Sequence, residues 1–291
     1  MVTSRTPLRI EPRSSDWPRE LLEIEGAPEA LWLRGRVEIL GLEPRIAIVG
    51  TRAPTPYGEA QAARFASALS LAGISVVSGM ARGIDQAAHR ATLREGGSTI
   101  AVLGSGVDVP WPAGPVAEEL AERGLLLSEF HPGEPPKPHH FPMRNRVISG
   151  LCRGVLVVEA AQASGSLITA RWAADQGRSV WAVPGRVDHL MSRGVHRLLR
   201  EGAALVEDPE EILRDLGVDV PSAVESRIPE ASPMAQKILE ALRGETLSAA
   251  ELSARIGHPL TSILVEVVSL EMAGRVARTP GGLYRRLGSG E

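Results

Sequence analysis

The apolar positions between residues 46 and 216 form short continuous runs, each followed by a segment with helical spacing. The runs are rich in β-branched residues and lack polar alternation, which is typical of parallel strands buried on both faces. We predict seven such strands, at 46–50, 74–79, 99–104, 125–129, 154–160, 179–185 and 203–207. The helical segments between them predict a doubly wound, mostly parallel α/β domain.

The pattern changes on either side of this domain, which we bound at 41–217. Residues 1–40 contain one short amphipathic stretch, and we expect them to form a strap packed on the main domain. The segment 218–232 is rich in Pro, Ser and Val and is predicted to be a linker. Residues 233–288 show three short helical patterns and then a hairpin with a Gly-Gly turn, which is the order of a winged helix.

Length and composition are compatible with one large and one small domain, since the chain has 291 residues and 43% of them are hydrophobic. The net charge of −3 excludes a uniformly basic protein but not a local cationic groove. The single cysteine, Cys152, cannot form an internal disulfide, which fits a reducing compartment. We find no signal peptide and no membrane span, and we expect a soluble cytoplasmic protein.

Two turns that follow predicted strands suit a phosphate group. Ligands of open parallel sheets bind beyond the carboxyl ends of the strands. Gly50 and Arg52 follow the first strand, and a guanidinium can form two parallel hydrogen bonds to a phosphate. Ser164, Gly165 and Ser166 begin a predicted helix, whose unpaired N–H groups favour an anion. Each turn alone could be a simple cap or tight turn, but their convergence on one edge favours a binding site.

A third candidate follows the fourth predicted strand, where a proline-rich loop leads into a helix. Lys137 and Arg144 supply cations there, and Phe141 supplies a ring. Cations that hold phosphates beside a ring that stacks on a base are typical of sites for unpaired nucleic acid. Stacking contributes about 1–3 kcal/mol per base whatever the base, so we predict sequence-independent binding.

Two other patterns are interpreted as structural. Arg146 cannot share a helix face with Arg144, and we expect it to pair with a glutamate, Glu129 or Glu159. Asp85 and His89 stand four residues apart on a predicted helix, where a structural hydrogen bond is the favoured interpretation.

Signatures of catalysis are missing from the sequence. There is no G-x-G-x-x-G after the first strand, no P-loop, no metal motif and no nucleophile with its base. We therefore predict a binding protein that is not an enzyme and needs no cofactor.

Six ordered motifs resemble those of the DprA/Smf (DNA-processing protein A) family. They are IAIVGTRAPTPYG, VVSGMARGIDQAAHRATL, GSTIAVLGSGVDVPWP, LLLSEFHPGEPPKPHHFPMRNRVISGL, VLVVEAAQASGSLITARWA and VWAVPGR, within about residues 15–216. The resemblance implies an extended Rossmann-like domain that binds single-stranded DNA and forms homodimers. It also implies a role in natural transformation, in which the protein protects incoming DNA and loads the recombinase RecA. The C-terminal region resembles the winged helix of many family members.

The resemblance further implies a DNA pocket built from the G-[ST]-R turn, the SG turn after the second strand, the K-x-x-F-P-x-R-N-R loop and the SGS helix start. The residues at these positions are Arg52, Ser78, Gly79, Lys137, Phe141, Arg144, Asn145, Ser164, Gly165 and Ser166. Lys137 and Phe141 are separated by three residues here, one more than in that pattern. Because about 45 residues precede the first strand, we expect no SAM-like domain in front of it.

Two other functions fit the sequence less well. A phosphoribohydrolase-like nucleotide hydrolase would resemble P-G-G-x-G-T-x-x-E with a working glutamate, but the PGG at 280–282 lies in the wing and the comparable turn QASGSLITA has no Glu. A ligand-sensing transcription regulator would read duplex DNA with the third helix of the winged helix. That helix contains Glu266 and Glu271 and no Lys or Arg, so we expect a protein-contact or regulatory role instead of sequence-specific reading of DNA.

Overall fold

The computed structural model describes residues 4–218, 232–272, 275–279 and 281–286. The chain divides into two compact units, Met1–Val220 and Pro221–Glu291, and each is described by itself. The predicted linker at 218–232 lies outside the described residues, apart from its two end positions.

The first unit contains a nine-stranded sheet in the order β1-β2-β6-β5-β4-β3-β7-β8-β9. The strands are β1 (Ser4–Ile10), β2 (Leu31–Gly35), β3 (Arg45–Gly50), β4 (Ser75–Ser78), β5 (Thr99–Val102), β6 (Leu125–Ser128), β7 (Gly154–Val158), β8 (Ser179–Ala182) and β9 (Ala204–Leu205). All pairings from β3 to β9 are parallel, and these seven strands correspond to the seven predicted ones. The predicted mostly parallel α/β fold is confirmed.

Helices cover both faces of this sheet. They are α1 (Pro56–Leu71), α2 (Ile84–Arg94), α3 (Pro115–Arg123), α4 (His140–Gly150), α5 (Ser166–Asp175), α6 (Arg193–Arg200) and α7 (Pro209–Asp215). Alternate residues of β3 point to opposite faces, so Ala47 and Val49 pack with α4, α5 and α6, while Ile46 and Ile48 pack with α1, α2 and α7. This double burial explains why the strands have no polar alternation.

The N-terminal residues were predicted to pack on the main domain as a strap, but they also extend its sheet by two strands. β1 and β2 pair antiparallel with each other, and β2 pairs antiparallel with β6, so that Trp32 lies opposite Ser128. Leu31 and Leu33 are buried, whereas Trp32 between them is half-buried, as expected for one strand with alternating faces. Five residues carry this alternation, which is too short a pattern to identify an added edge strand.

The second unit is a winged helix, as predicted. It contains α8 (Pro233–Ala241), β10 (Thr246–Ser248), α9 (Ala249–Ile256), α10 (Leu260–Met272), β11 (Val276–Arg278) and β12 (Leu283–Arg286), with the sheet order β10-β12-β11. Ile238, Leu252, Ile263 and Tyr284 are buried together in its core. Across both units, no helix among the described residues is long and apolar enough to cross a membrane.

Gly50 at the end of β3 leaves no space for a side chain, which gives a test of the packing at this point. A β-carbon there would lie 1.9 Å from the carbonyl oxygen of Val158 and 2.6 Å from Cγ1 of Ile84. Because the backbone of β7 would have to move, we expect Gly50→Ala to lower the free energy of unfolding by about 1–3 kcal/mol. Gly41→Ala is the matched control, since a β-carbon at Gly41 meets nothing within 4 Å. Equal stability of the two variants in urea unfolding would contradict the close approach.

Candidate functional site

A cavity of about 670 Å³ opens at the carboxyl edge of the sheet, where β3 and β7 end. This is the edge at which open α/β sheets bind their ligands. Most of the residues predicted from the sequence line this cavity: Gly50, Arg52, Phe141, Arg144, Asn145, Ser164, Gly165 and Ser166. The structure places Ser78, Gly79 and Lys137 outside the lining.

Arg52 is an exposed cation held at the mouth of the cavity by a fixed backbone. The Thr51 N–H donates to the carbonyl oxygen of Glu159 over 2.7 Å, and the Glu159 carboxylate accepts from the Thr55 N–H over 2.8 Å. The guanidinium carbon lies 5.7 Å from the centre of the Phe141 ring, a distance typical of a cation–π contact. In the part of the chain that the structure describes, Arg52 has no hydrogen-bond or ion-pair partner, so its donors are free for a ligand.

Phe141 is half-buried and packs against Gly104, where an added β-carbon would lie 2.9 Å from Cδ1 of the ring. The guanidinium carbon of Arg144 lies 6.0 Å from its ring centre. Phe141 is therefore fixed between two arginines, and part of its ring faces the cavity.

Arg144 is not the free phosphate ligand that the sequence predicted, because its side chain is only 4% exposed. Nη1 donates to the carbonyl oxygens of Gly79, over 2.8 Å, and of Val102, while Nε donates to Oδ1 of Asn145 over 3.0 Å. Burial lowers the pKa of Arg144 to about 10, against the opposing effect of the Asp85 charge. The guanidinium therefore ties the ends of β4 and β5 to α4 and shapes the floor of the cavity.

The turn after β4 is fixed by hydrogen bonds and lies beside the cavity without lining it with Ser78 or Gly79. The Ser78 hydroxyl donates to the carbonyl oxygen of Ile48 over 2.6 Å, so the side chain is used inside the sheet. The N–H groups of Gly79 and Ala81 both donate to Oδ2 of Asp85, over 3.1 and 3.2 Å. Ser78 and Gly79 are thus structural parts of the turn, and neither faces the cavity.

The prediction of a hydrogen bond between Asp85 and His89 is wrong. Asp85 bonds the backbone of the turn, whereas Nδ1 of His89 lies 2.7 Å from the Thr99 hydroxyl. Burial raises the pKa of Asp85, and the neighbouring Arg144 charge opposes that rise. Burial also lowers the pKa of His89 to about 3, with a smaller contribution from Arg144. The two side chains share a helix turn but belong to different networks.

The start of α5 closes the opposite side of the cavity. The hydroxyl oxygens of Ser164 and Ser166 lie 2.7 Å apart, and the Ser166 N–H donates to the Ser164 hydroxyl over 3.4 Å. Nδ2 of Asn145 donates to the carbonyl oxygen of Gly165 over 3.3 Å, which links α4 to this turn. Hydroxyls and backbone N–H groups at a helix start suit an anion.

The two remaining cations of the predicted loop are paired with acids. Arg146 donates from both Nη atoms to Glu129, over 2.7 and 2.6 Å, so the predicted glutamate pairing is confirmed. Lys137 lies outside the cavity lining, and its ammonium group is 2.5 Å from Oε1 of Glu134. The hydrogen bond to Lys137 lowers the pKa of the half-buried Glu134.

Sequence reasoning missed the carboxylates that position the site. Asp85 accepts a hydrogen bond from the backbone of the turn after β4, and Glu159 accepts one from the backbone of the turn that contains Arg52. One weak signal was available for Glu159, a carboxylate directly after the buried run of β7. No group of three or more metal-ligating side chains occurs among the residues that the structure describes.

The fold is a Rossmann-like α/β fold, and the cavity at the carboxyl edge of its sheet is a candidate ligand site with cationic and other polar side chains. A family model described as DNA recombination-mediator protein A matches residues 9–217, and one described as DprA winged helix domain matches residues 221–282. The chain therefore belongs to the DNA recombination-mediator protein A (DprA/Smf) family, as its motifs predicted.

Individual relatives match most of the chain. Protein Smf of Escherichia coli strain K12 is 41% identical over 283 residues, which cover 94% of this chain and 75% of that protein. The X-ray structure of DNA processing protein A from Streptococcus pneumoniae has a TM-score of 0.69 at 41% identity, covering 72% of this chain and 75% of that one. A Helicobacter pylori DNA processing protein A structure, described as showing a single-stranded DNA binding mode, has a TM-score of 0.67 at 28% identity, covering 75% and 99%.

The buried position of Arg144 predicts a loss of stability when it is removed. Arg144→Ala removes the donor to the carbonyl oxygens of Gly79 and Val102 and the positive charge that opposes the effect of burial on the pKa of Asp85, and each buried polar group left unsatisfied costs about 1–3 kcal/mol. Arg52→Ala, at an exposed and unpaired position, should change the free energy of unfolding by less than about 0.5 kcal/mol. Urea and thermal unfolding measure both. A similar stability for the two variants would show that Arg144 does not hold the turn.

Proposed function

We propose that this protein binds single-stranded DNA, without regard to sequence, in the cavity at the carboxyl edge of its sheet. The observation that carries the proposal is Arg52, an exposed guanidinium without a partner among the described residues, which lies over Phe141. A guanidinium can donate to a phosphate group, and a fixed ring can stack on a base. The Helicobacter pylori relative with a described single-stranded DNA binding mode supports the same ligand.

The other predicted residues fall into a ligand-binding group and a structural group in this proposal, with Lys137 outside both. Ser164, Gly165 and Ser166 offer hydroxyl and N–H donors to a second phosphate, next to Asn145. The structural group, which consists of Gly50, Ser78, Gly79 and Arg144, keeps the backbone close and the floor rigid. Lys137 joins the site from outside the cavity after it leaves Glu134.

Unpaired DNA fits this site better than duplex DNA. Phe141 lies within the cavity and can stack only on a base whose face is accessible. In a duplex both faces of each base are covered by its neighbours, and only the groove edges can be read. In addition, a hydrogen-bond code for base edges is not needed here, since donors to phosphate carry no sequence information.

We also propose that the protein is not an enzyme. The two carboxylates next to the cavity, Asp85 and Glu159, use their oxygens on backbone N–H groups that shape the turns. A hydrolase needs a carboxylate or a nucleophile directed at its substrate.

Membership of the family supports a wider cellular proposal. In it the protein is a cytoplasmic homodimer that protects single strands taken up in natural transformation and loads RecA onto them. Light scattering tests the dimer, and the rate of RecA filament formation on single-stranded DNA tests the loading. A monomer, or an unchanged filament rate, would contradict this wider role without affecting the binding proposal.

The first test of binding is the charge reversal Arg52→Glu. The unaltered protein should bind an oligothymidylate with an affinity that falls with log salt by about 0.7 per phosphate contacted. Arg52→Glu should weaken binding at least about tenfold, because a charge-assisted hydrogen bond to phosphate is lost, and it should flatten the salt dependence.

Arg90→Glu is the matched control, since Arg90 is exposed on α2 and lies outside the cavity lining. Fluorescence anisotropy at several salt concentrations measures all three proteins, and circular dichroism checks that they are folded. Equal weakening by both substitutions would mean that only net charge matters, and the cavity would lose its role.

A second substitution tests whether Lys137 takes part. Glu134 competes with phosphate for the ammonium group of Lys137, so Glu134→Gln should tighten oligothymidylate binding by about threefold. Glu122→Gln removes the same charge from α3, near its end before β6, and should have no effect. If both substitutions tighten binding equally, the gain comes from net charge and not from the release of Lys137.

A further inference from the structure

A concentration of rings lies outside the cavity, in the loop that follows β6. The segment 130–141 contains two of the three phenylalanines and three of the seven histidines of the whole chain. Only 3% of the residues are Phe, Trp or Tyr, so this density is unusual for the protein. Phe141 belongs to the cavity, and the other four rings of the segment are not part of its lining.

One end of this cluster adjoins the cavity. The rings of Phe130 and His140 are stacked, with centres 3.9 Å apart and planes 14° from parallel. His139 meets His140 edge-on at 4.6 Å. Nδ1 of His140 lies 3.1 Å from the carbonyl oxygen of Gly104, the glycine against which Phe141 also packs. The ring of His140 is therefore fixed directly beside the cavity.

The other end reaches the added strands of the sheet. His131 follows Phe130 in the chain, and its ring centre lies 5.5 Å from that of Trp32 on β2. The guanidinium carbon of Arg9 lies 5.9 Å from the Trp32 ring centre. We call His139, His140, Phe130, His131 and Trp32 the ring row. It runs from the end of β5 across β6 to β2, two strand spacings or roughly 10 Å.

Burial differs along the ring row in a way that suits binding. His140 is buried, and Phe130 and Trp32 are half-buried, but His131 and His139 are exposed. Each exposed imidazole is in contact with a fixed ring, so it is already oriented. Side chains that are ordered before binding lose little entropy when a ligand stacks on them.

Three of the four acidic side chains near the ring row are paired with cations. The acidic side chains nearby each have a partner: Glu129 pairs with Arg146, Glu134 with Lys137 and Glu11 with Arg9, and Asp108 accepts the Gly133 N–H. Lys137 and Arg9 already belong to two of these pairs, so they bring no net positive charge to the surroundings of the ring row.

We propose that His131 and His139 form a second stacking site for single-stranded DNA, occupied by the nucleotides that leave the cavity past Phe141. This inference rests on the proposed function of the cavity. At the spacing of about 3.4 Å between stacked bases, a row of roughly 10 Å has space for two or three of them. The site has no donor pattern for particular base edges, so it too is independent of sequence.

A comparison of oligonucleotide lengths separates the two sites. An oligothymidylate of about four nucleotides should occupy the cavity alone, whereas one of about twelve should reach the ring row as well. The double variant His131→Ala/His139→Ala should bind the short strand as the unaltered protein does and should lose about tenfold in affinity for the long one.

Two further variants distinguish stacking from other effects. His131→Phe/His139→Phe keeps the rings and should keep most of the affinity for the long strand. His258→Ala removes a partly exposed histidine of the winged helix and should leave binding of both strands unchanged. Thermal unfolding checks that every variant is folded. As a direct readout, 5-iododeoxyuridine placed outside the cavity-bound nucleotides should cross-link to peptides that contain residues 130–139.

Each outcome decides the inference. The proposal of a second stacking site is wrong if the Ala variant loses affinity equally for the short and the long strand. It is also wrong if the Phe variant binds the long strand as weakly as the Ala variant does. The cavity proposal stands in both cases. Cross-links confined to other peptides would also overturn it. If the unaltered protein binds neither strand, the proposed function fails and the second site fails with it.

Discussion

The site depends on one buried cation. The Arg144 guanidinium holds the carbonyl oxygens at the ends of β4 and β5 and lies against the charge of Asp85. Buried carbonyl groups at the ends of these two parallel strands would be costly if they were left unpaired. A single planar donor on α4 satisfies them and fixes the position of that helix. Phe141 and Asn145 lie on the same helix, so their placement in the cavity follows from this contact.

The arginines of the site therefore have different roles. Arg144 donates to backbone carbonyl groups, and Arg146 pairs with Glu129. Arg52 alone of the three is exposed and without a hydrogen-bond or ion-pair partner in the described part of the chain. The net charge of −3 is compatible with the proposed binding of a polyanion, because the local charge at a cavity matters more than the overall charge. The same division explains why Glu159 and Asp85 are next to the site, since they hold the turns that carry these residues.

Much of this arrangement could be predicted from the sequence. Seven continuous apolar runs determine the parallel strands, and strand-to-turn positions locate Gly50, Arg52 and Ser164–Ser166 at one edge. The burial of Arg144 could not be predicted, because spacing does not show which of two nearby arginines faces the sheet. Lys137 pairs locally with Glu134, three residues before it. The position of β1 depends on a long-range contact with β2, across residues 11–30. Short patterns carry no information on such contacts.

Amide hydrogen exchange, with and without a saturating oligothymidylate, tests the central claim most directly. We expect slower exchange on binding at 50–52, 138–145 and 163–166, the three segments that the cavity brings together. Protection confined to residues 233–286 of the winged helix, or the absence of protection from any of the three segments, would contradict it.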